Sequence, residues 1–252
     1  MKQVLLSVFA ILMPLSITAQ QTNIRRNQVG CYPQQEKVIV VEGTNAANKV
    51  RVTTPAGKVL KAKGVRKAVS PLSQKTRYVV NLGELTTPGD YRVTLGDESC
   101  VLHVNEHPYR DIATASLRLF YLIRSGVAID DAVYRRPLGH ADTKVLVHNS
   151  AASPLRPTGT VISSPYGWYD AGDYNKYVVN SAFSIGLMFA AYEQMPQYFA
   201  QLKTRIPESG NATPDLLDEM MFNLKWFLTM QDPFDGGVYH KLTTPIFGIL
   251  AQ

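Results

Sequence analysis

The chain has 252 residues, of which 45% are hydrophobic and 18% charged, and its formal net charge is +6. This composition is typical of a globular protein with one large domain or two smaller ones, and it excludes a disordered chain. The basic excess lies in residues 20–106, which hold 13 Lys or Arg against 7 Asp or Glu. These basic residues are scattered as on the solvent faces of strands, so nucleic-acid binding is not expected.

Residues 1–19 have the pattern of a secretory signal peptide. Lys2 supplies a positive start, an apolar run covers residues 4–15, and Ala19 offers a small residue for cleavage before Gln20. The apolar run is too short to span a bilayer, and no cysteine follows it that could carry a lipid. We therefore expect an exported protein, periplasmic or secreted, without a membrane span.

Residues 23–106 are predicted to form an immunoglobulin-like β-sandwich. Short alternating or apolar runs are separated by turn signals, and the predicted strands cover residues 37–41, 49–53, 77–81, 90–94 and 100–104. Cys31 and Cys100 lie near the two ends of this domain. An oxidising compartment would allow a disulfide between them, but the sequence leaves open whether they are bonded or are two buried free thiols.

After Pro108 the hydrophobic period changes to that of helices. Helices are predicted over residues 109–124, 174–195 and 213–230, and no strand signal lies between them. The second of these helices is apolar on most sides, so we expect it to be buried on more than one face. Residues 130–159 have no clear period, and a loop of that length in a compact domain is usually functional. Residues 107–252 are therefore predicted to be all-α.

The segment 167–177 concentrates the candidate chemistry. Asp170 and Asp173 stand three residues apart on a glycine-containing turn, surrounded by the aromatic residues Trp168, Tyr169 and Tyr174. Flat aromatic faces beside paired acids suit a sugar substrate, because pyranose rings stack on such faces and glycosidic bonds need acid and base carboxylates. An Asp before a helix is often only an N-cap, which would explain Asp173 but not the whole group.

Other candidate side chains carry weaker signals. His240 and Lys241 follow a Gly-rich loop and could hydrogen-bond sugar hydroxyls, although an ordinary polar loop is the simpler interpretation. Three loop residues could in principle bind a metal, but scattered loop residues are mostly solvated: His140, Asp142 and His148. Residues 208–211 could supply oxygen ligands to calcium, although they lack EF-hand spacing. The sequence has no nucleophile-elbow, Walker or dinucleotide-binding motif, which argues against those enzyme classes.

The segment 167–177 closely resembles the Asp-Ala-Gly-Asp signature of glycoside hydrolase family 9, mainly endoglucanases and related β-glucan hydrolases. Further segments resemble the family in the same order: residues 27–30, 134–137, 207–211, 214–219 and 230–233. The resemblance implies an inverting hydrolase of β-glucan oligosaccharides or polysaccharides. It also implies the predicted fold, an all-β immunoglobulin-like sandwich (residues 23–106) followed by an all-α partial (α/α)6 barrel (residues 107–252).

The same resemblance implies the roles of the two carboxylates. Asp173 would be the general base and Asp170 would help to hold the attacking water, and a helix N-terminus at Asp173 would favour its ionised form. In the family the general acid is a Glu near the C-terminal end of the barrel, and its motif matches none of Glu193, Glu208 and Glu219. We therefore interpret the chain as a truncated member and expect the isolated chain to have little or no hydrolase activity.

No cofactor is predicted. Some family members bind zinc through cysteines and histidines, but residues 138–140 contain no cysteine, so zinc is not expected, whereas calcium is left open. Two other functions also stay open at this point. The chain could be a non-catalytic glycan-binding protein that uses the aromatic residues as a stacking platform, or the sandwich could be a docking module for a partner.

Overall fold

The computed structural model describes residues 23–43, 45–83 and 85–244, so the predicted signal peptide lies outside the described residues. The chain forms two compact units, of which the first ends at Tyr109 and the second begins at Arg110. Within the described residues, no helix is long and apolar enough to cross a membrane.

The first unit is a sandwich of two four-stranded antiparallel sheets. The strands are β1 (Ile24–Arg25), β2 (Val38–Glu42), β3 (Arg51–Thr53), β4 (Val59–Lys61), β5 (Gly64–Val69), β6 (Thr76–Asn81), β7 (Gly89–Leu95) and β8 (Glu98–Val104). One sheet has the order β1-β2-β6-β5 and the other β4-β3-β7-β8. The five strands predicted from the sequence correspond to β2, β3, β6, β7 and β8.

The period-two alternation of these strands builds the core of the sandwich. On β7, Tyr91 and Val93 are buried whereas Arg92 between them is exposed. Inward residues of both sheets form one hydrophobic cluster, in which Ile39 and Val52 come from opposite sheets. The sequence therefore determines the inner face of each strand, because successive side chains point to opposite sides.

Both cysteines are free in this structure. The backbone of Cys31 pairs with Val104, and Cys100 lies four residues before Val104 on β8. At about 3.3 Å per strand residue the two cysteines are roughly 13 Å apart along the strand, whereas disulfide-bonded Cα atoms lie about 4.4–6.8 Å apart. Burial raises the pKa of both thiols above its ordinary value. Of the two possibilities left open by the sequence, the structure has the free thiols.

The second unit contains four described α-helices: α1 (Arg110–Leu122), α2 (Val178–Gln194), α3 (Pro196–Gln201) and α4 (Asp215–Thr229). Their apolar faces meet in a cluster that includes Trp168, Ile185, Phe199 and Met220. Trp168 of the segment 167–177 belongs to this cluster, so the packing of the helices positions the candidate site.

The prediction that the second unit is all-α is wrong. Its described residues contain three antiparallel pairs of two-residue strands: β9 (Ile129–Asp130) with β10 (Arg135–Arg136), β11 (Val145–Leu146) with β12 (Val161–Ile162), and β13 (Lys176–Tyr177) with β14 (Lys241–Leu242). Strands this short leave no periodic signal in the sequence, so their partners could not be found from hydrophobic spacing.

Helix α2 buries a single face in the described structure. Ile185 and Met188 are buried, whereas an apolar stripe at helical spacing remains exposed: Val179, Phe183 and Leu187. The expectation that this helix is buried on more than one face is therefore not met by the described residues.

Candidate active site

The first part of the segment 167–177 is tied into the interior of the second unit. Gly167 accepts a backbone hydrogen bond from Ser125 at 2.8 Å, and Tyr169 donates one to Ile123 at 2.9 Å. The backbone amide of Trp168 donates to Oδ1 of Asn223 on α4 at 3.0 Å. These bonds connect residues 167–169 with the residues that follow α1 and with α4, and both connections hold the backbone of the segment in place.

Trp168 belongs to the core and not to a sugar-binding surface. Its side chain is 3% exposed, and its ring packs on Phe120 with 4.7 Å between ring centroids. Its indole Nε1 donates to Oε1 of Glu219 at 2.8 Å. The prediction that Trp168 stacks on a saccharide is therefore wrong, because a buried ring offers no free face.

Glu219 connects Trp168 with a buried arginine that the sequence did not single out. Arg124 is 3% exposed and pairs with Glu219 at 3.0 Å and with Glu208 at 3.0 Å. Burial raises the pKa of Glu219 although Arg124 and Trp168 favour its ionised form. Burial opposes the charge of Arg124, but Glu208 and Glu219 outweigh this and raise its pKa. Both carboxylates are therefore committed to Arg124.

A cluster of three rings flanks the two candidate carboxylates. Tyr169 is only 5% exposed, and its hydroxyl contacts Nδ1 of His140 at 3.0 Å and donates to the Gly139 carbonyl at 3.2 Å. Tyr174 is 38% exposed and stacks on His140 with 4.8 Å between centroids and 24° between planes. The predicted stacking platform thus loses Tyr169, whose ring is enclosed, and keeps Tyr174.

The structure places Asp170 and Asp173 on one tight turn at the surface. The backbone amide of Asp170 donates to the Asn175 carbonyl at 2.9 Å, which closes the turn. Oδ1 of Asp170 accepts from the Asn180 side chain at 2.6 Å. Asp173 accepts from the backbone amide of Asn175 at 3.2 Å and from its side-chain amide at 2.7 Å. Neighbouring amides therefore orient both carboxylates.

Asp173 is not at a helix N-terminus, which corrects the sequence-based interpretation. Helix α2 begins at Val178 with Tyr177 as its N-cap, and not at residue 174. Tyr174 has a φ of +56°, a left-handed conformation that a helix cannot continue. Asp173 therefore lies outside the first turn of α2, to which the effect of a helix dipole is confined.

Lys176 is fully buried directly after the turn. Its Nζ forms an ion pair with Asp142 at 2.7 Å and donates to the carbonyls of Tyr166 at 2.8 Å and Ser164 at 3.0 Å. The ammonium also lies 5.3 Å from the ring centroid of Trp226. Burial lowers the pKa of Lys176, with Asp142 acting against that shift. The sequence gives no sign of this contact, because lysines are almost never fully buried unless paired, and the partner Asp142 is distant in the chain.

The structure brings His240 and Lys241 beside this segment. Strand β14 pairs with β13, and the amide of Val178 donates to the His240 carbonyl at 3.1 Å. Both side chains are exposed, and Nζ of Lys241 lies 5.9 Å from the ring centroid of Tyr177. The two residues therefore lie next to the candidate site, as a sugar-binding role requires.

The loop before β14 is held by a buried aspartate. Asp232 accepts hydrogen bonds from the hydroxyl of Tyr239, from Oγ of Ser153 at 3.0 Å and from the amide of Phe234 at 2.8 Å. The bond from Tyr239 is the main reason that the pKa of Asp232 lies below its ordinary value. These hydrogen bonds hold the loop that leads to His240 and to Lys241 at the start of β14.

The side chains considered for metal binding have other partners. His140 contacts Tyr169, Asp142 pairs with Lys176, and His148 contacts Ser150. Within residues 23–43, 45–83 and 85–244, no group of three or more His, Cys, Asp or Glu side chains could hold a metal ion. The expectations about zinc and calcium remain predictions.

Two family profiles match the chain. A profile described as Glycosyl hydrolase family 9 matches residues 109–245. A profile described as a cellulase N-terminal Ig-like domain matches residues 19–99. The second match confirms that the sandwich is immunoglobulin-like.

Characterised relatives extend beyond the length of this chain. It is 46% identical over 253 residues to a xyloglucan-specific endo-β-1,4-glucanase of Bacteroides ovatus, covering 96% of this chain and 43% of that protein. It is 29% identical over 232 residues to Endoglucanase D of Acetivibrio thermocellus, covering 90% of this chain and 36% of the relative. The chain thus spans less than half the length of these relatives.

A solved structure agrees with the sequence comparisons. The structure of a Bacteroides ovatus GH9 protein matches with a TM-score of 0.85 and 47% identity, covering 90% of this chain and 42% of that one. The family 9 profile itself matches more than half of the chain. The chain therefore belongs to glycosyl hydrolase family 9.

Proposed function

We propose that this chain carries the water-activating part of an endo-β-1,4-glucanase site that acts on xyloglucan or a related β-1,4-glucan with inversion. The substrate class comes from the relatives, which are a xyloglucan-specific endo-β-1,4-glucanase and an endoglucanase. The proposal includes a helical unit that is part of an (α/α)6 barrel, and export to the periplasm or the exterior.

The observation that carries the proposal is the pair of oriented carboxylates on one surface turn. Asp170 is exposed and Asp173 is half-buried, so both can reach a water molecule. Asn180 holds Asp170, while Asn175 holds Asp173. Pre-oriented groups of this kind avoid reorganisation during the reaction and therefore lower its barrier.

In the proposed mechanism Asp173 is the general base. It accepts a proton from water while the water oxygen attacks the anomeric carbon from the side opposite the leaving oxygen. Asp170 accepts the second hydrogen of that water and thereby fixes its direction. The two carboxyl groups of an inverting pair stand about 6.5–9.5 Å apart on opposite sides of the bond. Two residues of one turn act on the same side, so neither is proposed as the general acid.

No general acid is assigned among the described residues. Glu208 and Glu219 are both bound to Arg124, so neither has a carboxyl group free to protonate a leaving oxygen. Substrate contacts are proposed for the exposed ring of Tyr174 and for the side chains of His240 and Lys241. No cofactor enters this scheme.

A substrate that needs no general acid tests the proposed base directly. Dinitrophenyl β-cellotrioside has a leaving group that departs without protonation, so a base-only site can still hydrolyse it. We expect the purified chain to release dinitrophenolate and to give the α-anomer of cellotriose, observed by proton NMR. The variant Asp173→Asn should lose about 10²–10⁴-fold in rate, whereas Asp130→Asn, at an exposed hairpin position, should keep it.

A non-catalytic glycan-binding protein is the second candidate function. The engagement of Glu208 and Glu219 with Arg124 favours it, because the described residues then hold only one side of a catalytic pair. Calorimetry with a xyloglucan heptasaccharide separates the two functions. A binder keeps its affinity in Asp173→Asn and releases no dinitrophenolate in the wild type, and that result would refute the proposed hydrolysis.

A further inference from the structure

We propose that Lys176 is a positioning residue, whose buried ammonium holds the turn of Asp170 and Asp173 in its working conformation. The inference rests on the proposed function, because it concerns the placement of the proposed base. This positioning role of an interior lysine goes beyond the family membership and the relatives' activities given above.

The contacts of the ammonium satisfy its hydrogen-bonding capacity. Lys176 is 0% exposed, and its three donors meet three oxygens: Oδ2 of Asp142 at 2.7 Å and the carbonyls of Tyr166 and Ser164 at 2.8 and 3.0 Å. An ammonium group has three N–H donors. Burying a charge of this kind costs desolvation free energy, which the attraction of Asp142 and the two carbonyl hydrogen bonds offset.

The three acceptors come from two separate stretches of chain. Asp142 lies between β10 and β11, within the long loop predicted over residues 130–159. Ser164 and Tyr166 lie between β12 and the turn. Lys176 itself lies three residues after Asp173. One ammonium therefore joins the long loop, the entrance of the turn and its exit, and the ring of Trp226 on α4 closes the site at 5.3 Å.

The backbone of the turn needs such an external restraint. Tyr166 and Tyr174 have φ values of +68° and +56°, which non-glycine residues rarely adopt. Residues in this region persist only when surrounding contacts determine them. The carbonyl of Tyr166 is one of the oxygens that Lys176 binds. Loss of the ammonium would thus release the strained backbone on the entrance side and the base on the exit side.

The side chain of Asp142 explains why a lysine is required here. The carboxylate is only 14% exposed, so it would be left with an uncompensated charge if Lys176 were apolar. A guanidinium has a planar, larger head and cannot reproduce three bonds from one nitrogen. Lys176→Met and Lys176→Arg should therefore both disturb the turn, and the additional change Asp142→Asn should relieve part of the effect in Lys176→Met.

Hydrogen exchange read by mass spectrometry tests the proposal without any need for catalysis. In Lys176→Met we expect peptides covering residues 138–147 and 162–178 to exchange about tenfold faster or more, while peptides of the sandwich keep their rates. The double variant Lys176→Met/Asp142→Asn should exchange more slowly than Lys176→Met alone. Lys225→Met is the control, since Lys225 is an exposed lysine of α4 whose ammonium lies 5.7 Å from the ring of Tyr166, whereas Lys176 binds the backbone carbonyl of that residue. Loss of the ring contact should leave the exchange rates of both peptides unchanged.

A kinetic readout separates positioning from general destabilisation. With dinitrophenyl β-cellotrioside, Lys176→Met should lower kcat by about tenfold or more and leave KM within about twofold, because the substrate contacts stay and the base moves. Uniformly faster exchange across the whole helical unit, or unchanged exchange in residues 162–178, would overturn the proposal. If the wild-type chain neither binds nor cleaves a glucan, the proposed function fails, whereas the exchange result still decides the role of Lys176.

Discussion

Replacing Glu219 with alanine should strongly destabilise the helical unit and leave the sandwich intact. Glu219 is 3% exposed, pairs with the buried Arg124 at 3.0 Å and accepts the indole N–H of Trp168 at 2.8 Å. The substitution leaves Arg124 paired with the part-exposed Glu208 and deprives Trp168 of its acceptor. Breaking a buried ion pair costs about 3–5 kcal/mol when the remaining charge is uncompensated, and a lost acceptor costs about 1–3 kcal/mol. Because Glu208 offsets part of the first cost, we expect a loss of about 4 kcal/mol in all.

The two tryptophans make this effect measurable in the intact chain. Trp168 and Trp226 are its only tryptophans, and both lie in the second unit. Urea unfolding followed by tryptophan fluorescence therefore reports the helical unit alone. With an m-value of about 2 kcal/mol/M, the midpoint should fall by about 2 M. Glu219→Gln, which keeps an oxygen acceptor for Trp168, should show a smaller decrease.

The control is Glu193→Ala, which removes an exposed glutamate of α2 and should change the midpoint very little. A loss below about 1 kcal/mol in Glu219→Ala would refute the reasoning, since exposed pairs have values of that size. Such a result would mean that Glu208 or water compensates the charge of Arg124 without Glu219.

Two further predictions concern the helical unit. Burial tends to raise the pKa of Asp215, but bonds from Ser209 and Thr204 outweigh it and hold that pKa below its ordinary value. The resulting stability is fully present above the unfolded pKa of about 4 and is lost as the pH falls through the folded value, so Asp215→Asn should flatten the acid arm of a Tm-against-pH curve. Gly167→Ala should cost about 2–4 kcal/mol in urea unfolding, because φ is +86° and a Cβ would lie 2.9 Å from the Trp226 ring. The matched Gly210→Ala, with no atom within 4 Å of the added Cβ, should be nearly neutral, and an equal loss in both variants would contradict the steric argument.

Local patterns predicted the sandwich because its strands alternate against one core. The buried residues of β7 and of β8 are separated by single, more exposed residues. This period-two alternation is the pattern that predicts a strand. β5 was missed because Arg66 and Lys67 occupy its centre on the edge of the sheet, where charge protects an open edge. A strand without an apolar face gives no periodic signal.

At the candidate site the sequence predicted the segment but not its surroundings. The sequence around Trp168 does not distinguish a sugar-binding tryptophan from a core tryptophan. The hydrogen bond to Glu219, 51 residues away, identifies Trp168 as a core residue. The predicted start of α2, residue 174, lies four residues before the observed start, Val178. The apolar period already begins in the residues just before the helix, where β13 pairs with β14. Contacts between distant residues determine these features, and hydrophobic spacing does not contain them.

The position of the two sulfur atoms bears on how this protein can be made. Cys31 is aligned with one end of β8, and Cys100 lies further along the same strand. Antiparallel pairing and apolar packing hold the sandwich together with both thiols free, and the raised pKa values keep the nucleophilic thiolate scarce. We therefore expect the domain to have the same thiol form from a reducing host and from an oxidising compartment, which thiol titration of the two preparations would measure.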